Sequence, residues 1–480
     1  MNDMKRYLTG LLCTLFSAGA LSGQQPRVLS FEEALHLMNS RNDRIAAADY
    51  EAETAEMQKK AAFGLRLPQI GVSGTYVHMA DDIGLDFNNL KTPIGNAIGD
   101  IGSVFPELGG AIGEMLKPAL QKNWEYVLQD RDVGMVGATI QLPVYMGGKI
   151  NAANNAARLD WDITRQKSTQ TRNELVSELA ERYFGLSLAN QVVDVRREVL
   201  EGMEKHLADA KALEENGMIP KVERLYAEMS AADARREWQK SVRDAQTINT
   251  ALGNTLNQEG TYTPLTTLFI VDGIEPVGYF KQLALDKNPQ LKQVGLMEQK
   301  AREGVRAQRA DFLPQVALMG GYDIYNYQLT KYAPTWIVGA GVNIKIFDGL
   351  NREYKYSAAK SQVRQVEALN AKAGSDITTL VEKIYNEMLA AGEQIESLDA
   401  ALEFASEYLR AKEKAFHEGA APSSDVVDAR LNLARIRTER LQAAYTYDLL
   451  LARLLEACGD SESYVSYISG RTVTPVRFEK

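Results

Sequence analysis

The chain has 480 residues, 45% apolar and 24% charged, with a formal net charge of −9. That balance excludes a disordered, collagenous or disulfide-rich protein, and with no basic stripe to track phosphates it excludes nucleic acid as a partner. Cys13 and Cys458 cannot form a cysteine framework, and four scattered histidines lack metal-ligand spacing, so no metal or cofactor is expected.

Lys5 and Arg6 precede an apolar run from Leu8 to Leu21, followed by small residues around Ala20, Ser22 and Gly23. This is the pattern of a secretory signal peptide over residues 1–23. At about 14 residues the run is too short for a permanent transmembrane helix. Leu11 and Leu12, in place of small residues, argue against lipidation of Cys13. No later stretch is long and apolar enough for a membrane helix, so any insertion into lipid must use strands.

The remainder is a duplication. Leu67-Pro68-Gln69-Ile70, running to Gly74 and Tyr76, recurs as Leu313-Pro314-Gln315-Val316, running to Gly320 and Tyr322, at an offset of 246. Further on, Gly217 and Pro220 match Gly419 and Pro422 at an offset of 202. The difference of 44 is an insertion confined to the first half, over 80–125. The two repeats span about 24–255 and 270–457.

In chain order, helices are expected over 30–66, 151–214, 221–252, 277–311, 351–416 and 423–457. Leu179, Leu186, Val193, Leu200 and Leu207 recur every seven residues, as do Val381, Met388, Ile395, Leu402 and Leu409. Such seams predict coiled-coil packing of two rods, each roughly 100 Å long at ~1.5 Å per residue. Strands are expected near 67–79, 133–145, 314–327 and 335–347, where period-two patterns carry almost no charge. From Trp336, one parity reads Val338, Ala340, Val342, Ile344, Ile346; the other reads Ile337, Gly339, Gly341, Asn343, Lys345. Each strand has the length a tilted membrane strand needs. Tyr76, Tyr145, Tyr322, Tyr325, Tyr327, Tyr332, Trp336 and Phe347 lie in or beside them, as an aromatic girdle requires. The competing reading is a soluble four-stranded sheet with its apolar face turned onto helices. Four strands cannot close a barrel, and an open edge in lipid leaves backbone groups unsatisfied. Membrane insertion therefore demands two or more copies.

With these features the chain resembles the TolC-type outer-membrane efflux protein family, from Leu29-Ser30-Phe31-Glu32-Glu33-Ala34-Leu35 to about Ala457. The markers are that helix start, the paired Leu-Pro-Gln strand entries and the paired Gly-x-x-Pro turns. The resemblance implies a fold that is mostly α with membrane β: long coiled-coil hairpins form an α-barrel, and four strands per chain join an oligomeric β-barrel. It implies a homotrimer in outer-membrane lipid, with a periplasmic tunnel that meets a periplasmic adaptor protein and an inner-membrane pump. Substrates would then pass through a passive export duct of an efflux or type I secretion system.

Glycine at the end of a long helix and proline in the first turn of the next account for Gly217 and Pro220, and for Gly419 and Pro422. The resemblance adds adaptor contact at Gly217, Met218, Ile219, Gly419, Ala420 and Ala421. Asp425 and Asp428 share a helical face. They read either as charge complementing a helix N-terminus capped by Ser423 or Ser424 or, by resemblance, as acidic rings of a periplasmic entrance gate that attract cations. Phe416 and Glu223 complete the gate set. The family's gate arginine is replaced by Ala421, so Lys221 and Arg224, beside Glu223, are expected to supply substitute ion pairs. In the insertion, Ile94, Ile98, Ile101, Phe105, Leu108, Ile112 and Met115 are interrupted by glycines. A partly ordered loop and a lid of short helices over the barrel mouth both fit.

Catalysis is not expected. There is no His-Glu-x-x-His or Cys-x-x-Cys; Gly147-Gly148-Lys149 lacks the phosphate-loop spacing, and Gly71-Val72-Ser73-Gly74 is not a nucleophile elbow. Besides a channel, a periplasmic coiled-coil adaptor and a poreless envelope tether remain as alternatives.

Overall fold

Residues 27–330 and 333–478 are described in the computed structural model. The signal segment expected over 1–23, and Tyr332 of the aromatic set, lie outside the described residues. The first repeat begins with β1 (Arg27–Leu29), α1 (Phe31–Arg41), α2 (Asp43–Phe63), β2 (Gln69–His78) and β3 (Ile83–Asp86). It continues with α3 (Lys91–Val104), α4 (Pro106–Gln121), β4 (Glu125–Gln129), β5 (Asp132–Met146), α5 (Lys149–Glu215) and α6 (Lys221–Thr255). β6 (Tyr262–Pro264) and β7 (Leu268–Val271) lead into the second repeat. That repeat comprises α7 (Val277–Lys287), α8 (Pro289–Ala310), β8 (Gln315–Tyr327), β9 (Trp336–Asn343), α9 (Asn351–His417) and α10 (Ser423–Cys458). The chain then adds α11 (Tyr464–Ser469) and β10 (Val473–Val476).

The duplication sets the helix lengths. α5 and α9 are each 67 residues long, and both start and finish 202 positions apart. Each follows a left-handed turn, at Gly147 and Gly148 in one repeat and at Gly349 and Leu350 in the other. Gly147 is thus a strand-to-helix hinge: a Cβ there would meet the Ala310 carbonyl oxygen at 2.5 Å. Two expected single helices are broken in two, at Asn42 and Asn288. Asn42 Nδ2 donates to the Thr255 carbonyl at 2.9 Å, and Asn288 Nδ2 donates to the Ala457 carbonyl at 2.8 Å. Each asparagine also accepts a backbone N–H of the following helix, from Arg44 and Leu291, both at 2.9 Å. A buried amide therefore replaces one helical turn at the same place in both repeats.

Two compact units emerge. The first takes residues up to 56, 159–299 and from 363 onward. Its core is built on the heptad seam: Leu179, Leu186, Val381, Met388 and Ile395 are buried. Phe31 stacks on Phe184 at 5.5 Å and meets Tyr464 edge-on at 5.1 Å. Tyr183 donates its hydroxyl to the Leu29 carbonyl at 2.6 Å and accepts the Thr266 N–H at 3.0 Å. Beside it β1 pairs in parallel with β6, and β7 pairs antiparallel with β10. The Leu29-Ser30-Phe31 marker has a physical basis here. Ser30 and Glu33 form a reciprocal capping box at the start of α1, while Leu29 and Phe31 are buried on either side.

The second unit takes residues 57–158 and 300–362. It holds an antiparallel sheet in the order β2-β5-β8-β9. Register gathers the apolar parity of all four strands on one face. Ile70 lies opposite Ile140, and Val72 opposite Ala138. Leu142 lies opposite Leu318, and Leu318 opposite Ala340; Gly320 faces Val338 and Tyr322 faces Trp336. A bulge after Val136 keeps Tyr325 and Tyr327 in line with Val136 and Gly134. Ile70, Val72, Val338 and Val342 are 64–77% exposed, so in the single chain no helix covers this face. The soluble-sheet reading, which needed that cover, is not supported. β9 stops at Asn343 instead of continuing to 347: its partner β8 begins at Gln315, so Ile344 and Ile346 have no strand to pair with. Both outer edges, on β2 and β9, are unpaired among the described residues.

The insertion is folded. β3 and β4 form a bulged ribbon that carries the helical hairpin α3–α4, broken at Phe105. A Cβ on Gly109 would fall 2.2 Å from the Gly102 Cα, so the two glycines let the backbones touch. A partly ordered loop does not describe it. Val104, Phe105 and Leu108 are exposed around its turn.

One buried acid stands out in the first unit. Asp448 on α10 is fully buried; its Oδ2 accepts the Phe269 N–H at 3.3 Å and its Oδ1 has no hydrogen-bond partner. Burial pushes this carboxyl well above its ordinary value of 3.8. Unfolding releases its proton at any pH between that ordinary value and the raised one, so the group's stabilisation is complete below 3.8 and is lost as pH rises through the raised value. Asp448→Asn keeps the shape without the ionisation. Thermal unfolding should give a higher Tm than wild type at pH 7.5 and a gap that closes toward pH 4; a variant less stable at pH 7.5 would contradict this.

Candidate functional site: the paired helix turns

α5 and α9 end alike. Gly217 and Gly419 both have φ +72°, where an L side chain costs roughly 1–2 kcal/mol. Nested backbone bonds close each end: Met218 N–H to Leu213 O at 2.9 Å with Gly217 N–H to Glu214 O at 2.8 Å, and Ala420 N–H to Ala415 O at 2.8 Å with Gly419 N–H to Phe416 O at 2.9 Å. Pro220 and Pro422 then sit at the N-cap, in extended conformation, one position earlier than the first-turn placement expected from sequence. Gly217, Met218, Gly419 and Ala420 are exposed, while Ile219 and Ala421 are half-buried.

Beneath the turns lies a small core of Ala210, Ala227, Phe416 and Val426, with Leu207, Leu213 and Ile219 packed against it. Phe416 is 2% exposed. The ring is held between helices of its own chain, in the core beneath the turns.

Glu223 works across the repeats. Its carboxylate accepts the Ser423 N–H at 2.8 Å, serving the first amide of α10. Ser423 is fully buried, and its Oγ lies 2.5 Å from His206 Nε2 on α5. Neither Ser423 nor Ser424 caps α10; the acid of the other repeat takes that part. The expected substitute pairs are also rearranged. Arg224 stays within its own repeat, bound to Glu214 and Glu228 at 2.6 Å each, and Lys221 is exposed with no recorded ion pair among the described residues.

The two aspartates differ. Asp425 Oδ2 receives Lys412 Nζ at 2.7 Å, and that hydrogen bond holds Lys412 above its ordinary ammonium range. Asp428 is exposed and has no recorded ion pair among the described residues. Asp425 thus presents a neutralised pair, and Asp428 presents a bare charge.

Sequence reasoning missed a second layer of links. Arg430 on α10 is paired with Glu413 on α9 and lies against Gly202 on α5. A Cβ at Gly202 would fall 1.8 Å from the Arg430 Nη1, so that glycine is a seat for a guanidinium. Arg437 Nη1 reaches both carboxylate oxygens of Glu198 at 2.7 Å. Arginines at these positions had no spacing signal; only the glycine in a heptad-rich helix hinted at a close approach. Phe416→Ala should cost about 3–5 kcal/mol of stability, whereas Asp428→Ala should change it by less than about 0.5 kcal/mol. Denaturant unfolding of the two variants checks this.

Comparison with known proteins gives the arrangement a context. Residues 108–264 and 281–460 match the family model described as outer membrane efflux protein. Alkaline protease secretion protein AprF of Pseudomonas aeruginosa is 26% identical over 206 residues, which cover 40% of this chain and 41% of that protein. The chain therefore spans about two-fifths of the length of that relative. The outer membrane channel CmeC of Campylobacter jejuni superposes with a TM-score of 0.70 at 14% identity, covering 92% of this chain and 90% of that one. The outer membrane protein VceC of Vibrio cholerae does so with a TM-score of 0.68 at 15% identity, covering 90% and 96%.

Proposed function

From the premise that the chain belongs to the outer membrane efflux protein family, whose members are channels rather than enzymes, we propose how its parts divide the work. The protein is an outer-membrane efflux channel; the adaptor and poreless-tether readings fall with that membership. Three copies complete a β-barrel with their four-stranded sheets. α5, α6, α9 and α10 form the periplasmic tunnel, and the turns at Gly217 and Gly419 are its entrance. The likeness to a protein of alkaline protease secretion supports a secretion duct alongside a small-molecule efflux duct.

The observation that carries this reading is the exposed apolar sheet face with two open edges. Lipid covers such a face at no cost, and neighbouring copies satisfy the edges. At the entrance, exposed Gly217, Met218, Gly419 and Ala420, flanked by Ile219 and Ala421, offer small residues and one large apolar side chain to an adaptor that connects to an inner-membrane pump. Asp428 supplies a ring of bare carboxylates, and Asp425 a ring of lysine-paired ones. The α3–α4 hairpin is the extracellular lid, with Val104, Phe105 and Leu108 meeting their counterparts over the mouth.

Single-channel recording of detergent-purified protein in a planar bilayer tests the reading. Wild type should pass a small, cation-selective current. Asp425→Ala/Asp428→Ala removes the bare acids and also frees Lys412, so cation preference should be lost and current should rise. A pore indifferent to the double substitution would return both aspartates to a helix-end role. Protein soluble without detergent and lacking a pore would overturn the duct.

A further inference from the structure

His206 is 5% exposed on α5, and it touches both α9 and α10 where the helices meet at the turns. Its Nε2 lies 2.5 Å from the Ser423 Oγ at the start of α10, and its ring centroid lies 4.5 Å from that of Phe416 on α9. Ser423 in turn gives its N–H to Glu223 on α6. One buried serine therefore joins α5 and α6 of the first repeat to α10 of the second, and the imidazole closes the joint. Asp425 and Asp428 follow within the first two turns of α10.

The charged groups facing the imidazole are mixed. Arg430 approaches from α10, Asp209 lies on α5 itself, His417 is on α9 and Glu223 on α6. Burial and then Arg430 hold the imidazole below its ordinary value of 6.5, with Asp209 and Glu223 offsetting part of that. Arg430 cannot easily withdraw, since its guanidinium is seated on Gly202 and paired with Glu413.

We propose that His206 is a proton-operated latch between the two repeats at the tunnel entrance, engaged when neutral and released when protonated. The proposal rests on the reading of these turns as the entrance. Protonation does not forbid the bond to Ser423. It places a cation beside Arg430 in an apolar pocket, so the ring leaves for water and the Ser423 joint loosens with it. The free state binds more protons than the latched one, so the latch is fully engaged above about pH 6.5 and weakens as pH falls from there through the depressed value. The free-to-latched ratio changes roughly tenfold for each pH unit separating the two states' pKa values. His417 on α9 shifts the imidazole in the same direction as Arg430, and its 3.5 Å pair with Asp209 is half exposed and screened.

Backbone hydrogen exchange over residues 423–428, corrected for the intrinsic pH dependence, reads the latch on purified protein whether or not a pore conducts. Exchange should quicken between pH 7.5 and 5.0 in wild type and in His417→Gln. In His206→Gln, where the amide can hold Ser423 at every pH, it should not respond. Ser423→Ala, a milder change, should exchange quickly at both pH values. A response that survives in His206→Gln, or fast exchange absent from Ser423→Ala, overturns the latch. Parallel recordings separate the two ideas: exchange that follows His206 with no acid-dependent rise in current keeps the latch and removes the entrance reading.

Discussion

The unpaired edges of β2 and β9 are the constraint on which the rest depends. Each edge presents a row of N–H and C=O groups, and the apolar face beside them excludes water as a partner once it is in lipid. A chain that placed this sheet in a membrane alone would lose several kilocalories per mole for every unpaired group. On the function proposed above, assembly is therefore a condition of insertion, and a closed barrel is the arrangement that meets it. The small and polar opposite parity, with Gly71, Ser73, Thr139, Gly339 and Gly341, is then the face that can line water.

Duplication explains why the helical part accommodates that demand. Two copies of one unit place equivalent helices at equivalent lengths, so the turns at Gly217 and Gly419 share a geometry and their helices end alike. The repeat is broken where charge is placed. The first turn ties Arg224 to its own helices, the second ties Lys412 to Asp425, and Glu223, His206 and Arg437 reach from one repeat to the other. If the turns are the entrance proposed above, symmetric scaffolding with asymmetric links suits their movement, because a few near-surface pairs are individually weak.

Much of this was legible in the sequence where a single backbone rule governs. The heptad seam, the glycine turns and the strand alternation each follow from a fixed period or a positive φ. The asparagine brackets at Asn42 and Asn288 were missed because an amide inside a helical pattern looks like a tolerated polar residue; the offset of 246 between them was the available signal. The burial of Phe416 was legible in its seven-residue spacing from the buried Leu409. The insertion hairpin was obscured by glycines that count against helices in isolation but permit the Gly102–Gly109 backbone contact. Long-range side-chain links such as Arg430 with Gly202 depend on helix rotation, which no local pattern encodes.

The claim that edge closure by neighbouring copies builds the barrel is tested most directly by cysteine cross-linking in native membranes. Pairs would join β2 (Val72, Ser73 or Thr75) to β9 (Val338, Gly339 or Ala340). Within one chain these strands lie at opposite edges of the sheet, about 14 Å apart at the spacing of paired strands, so a disulfide can form only between copies. The account predicts that at least one register yields covalent dimers and trimers on a denaturing gel. Membrane-embedded protein that stays monomeric for every pair would contradict it.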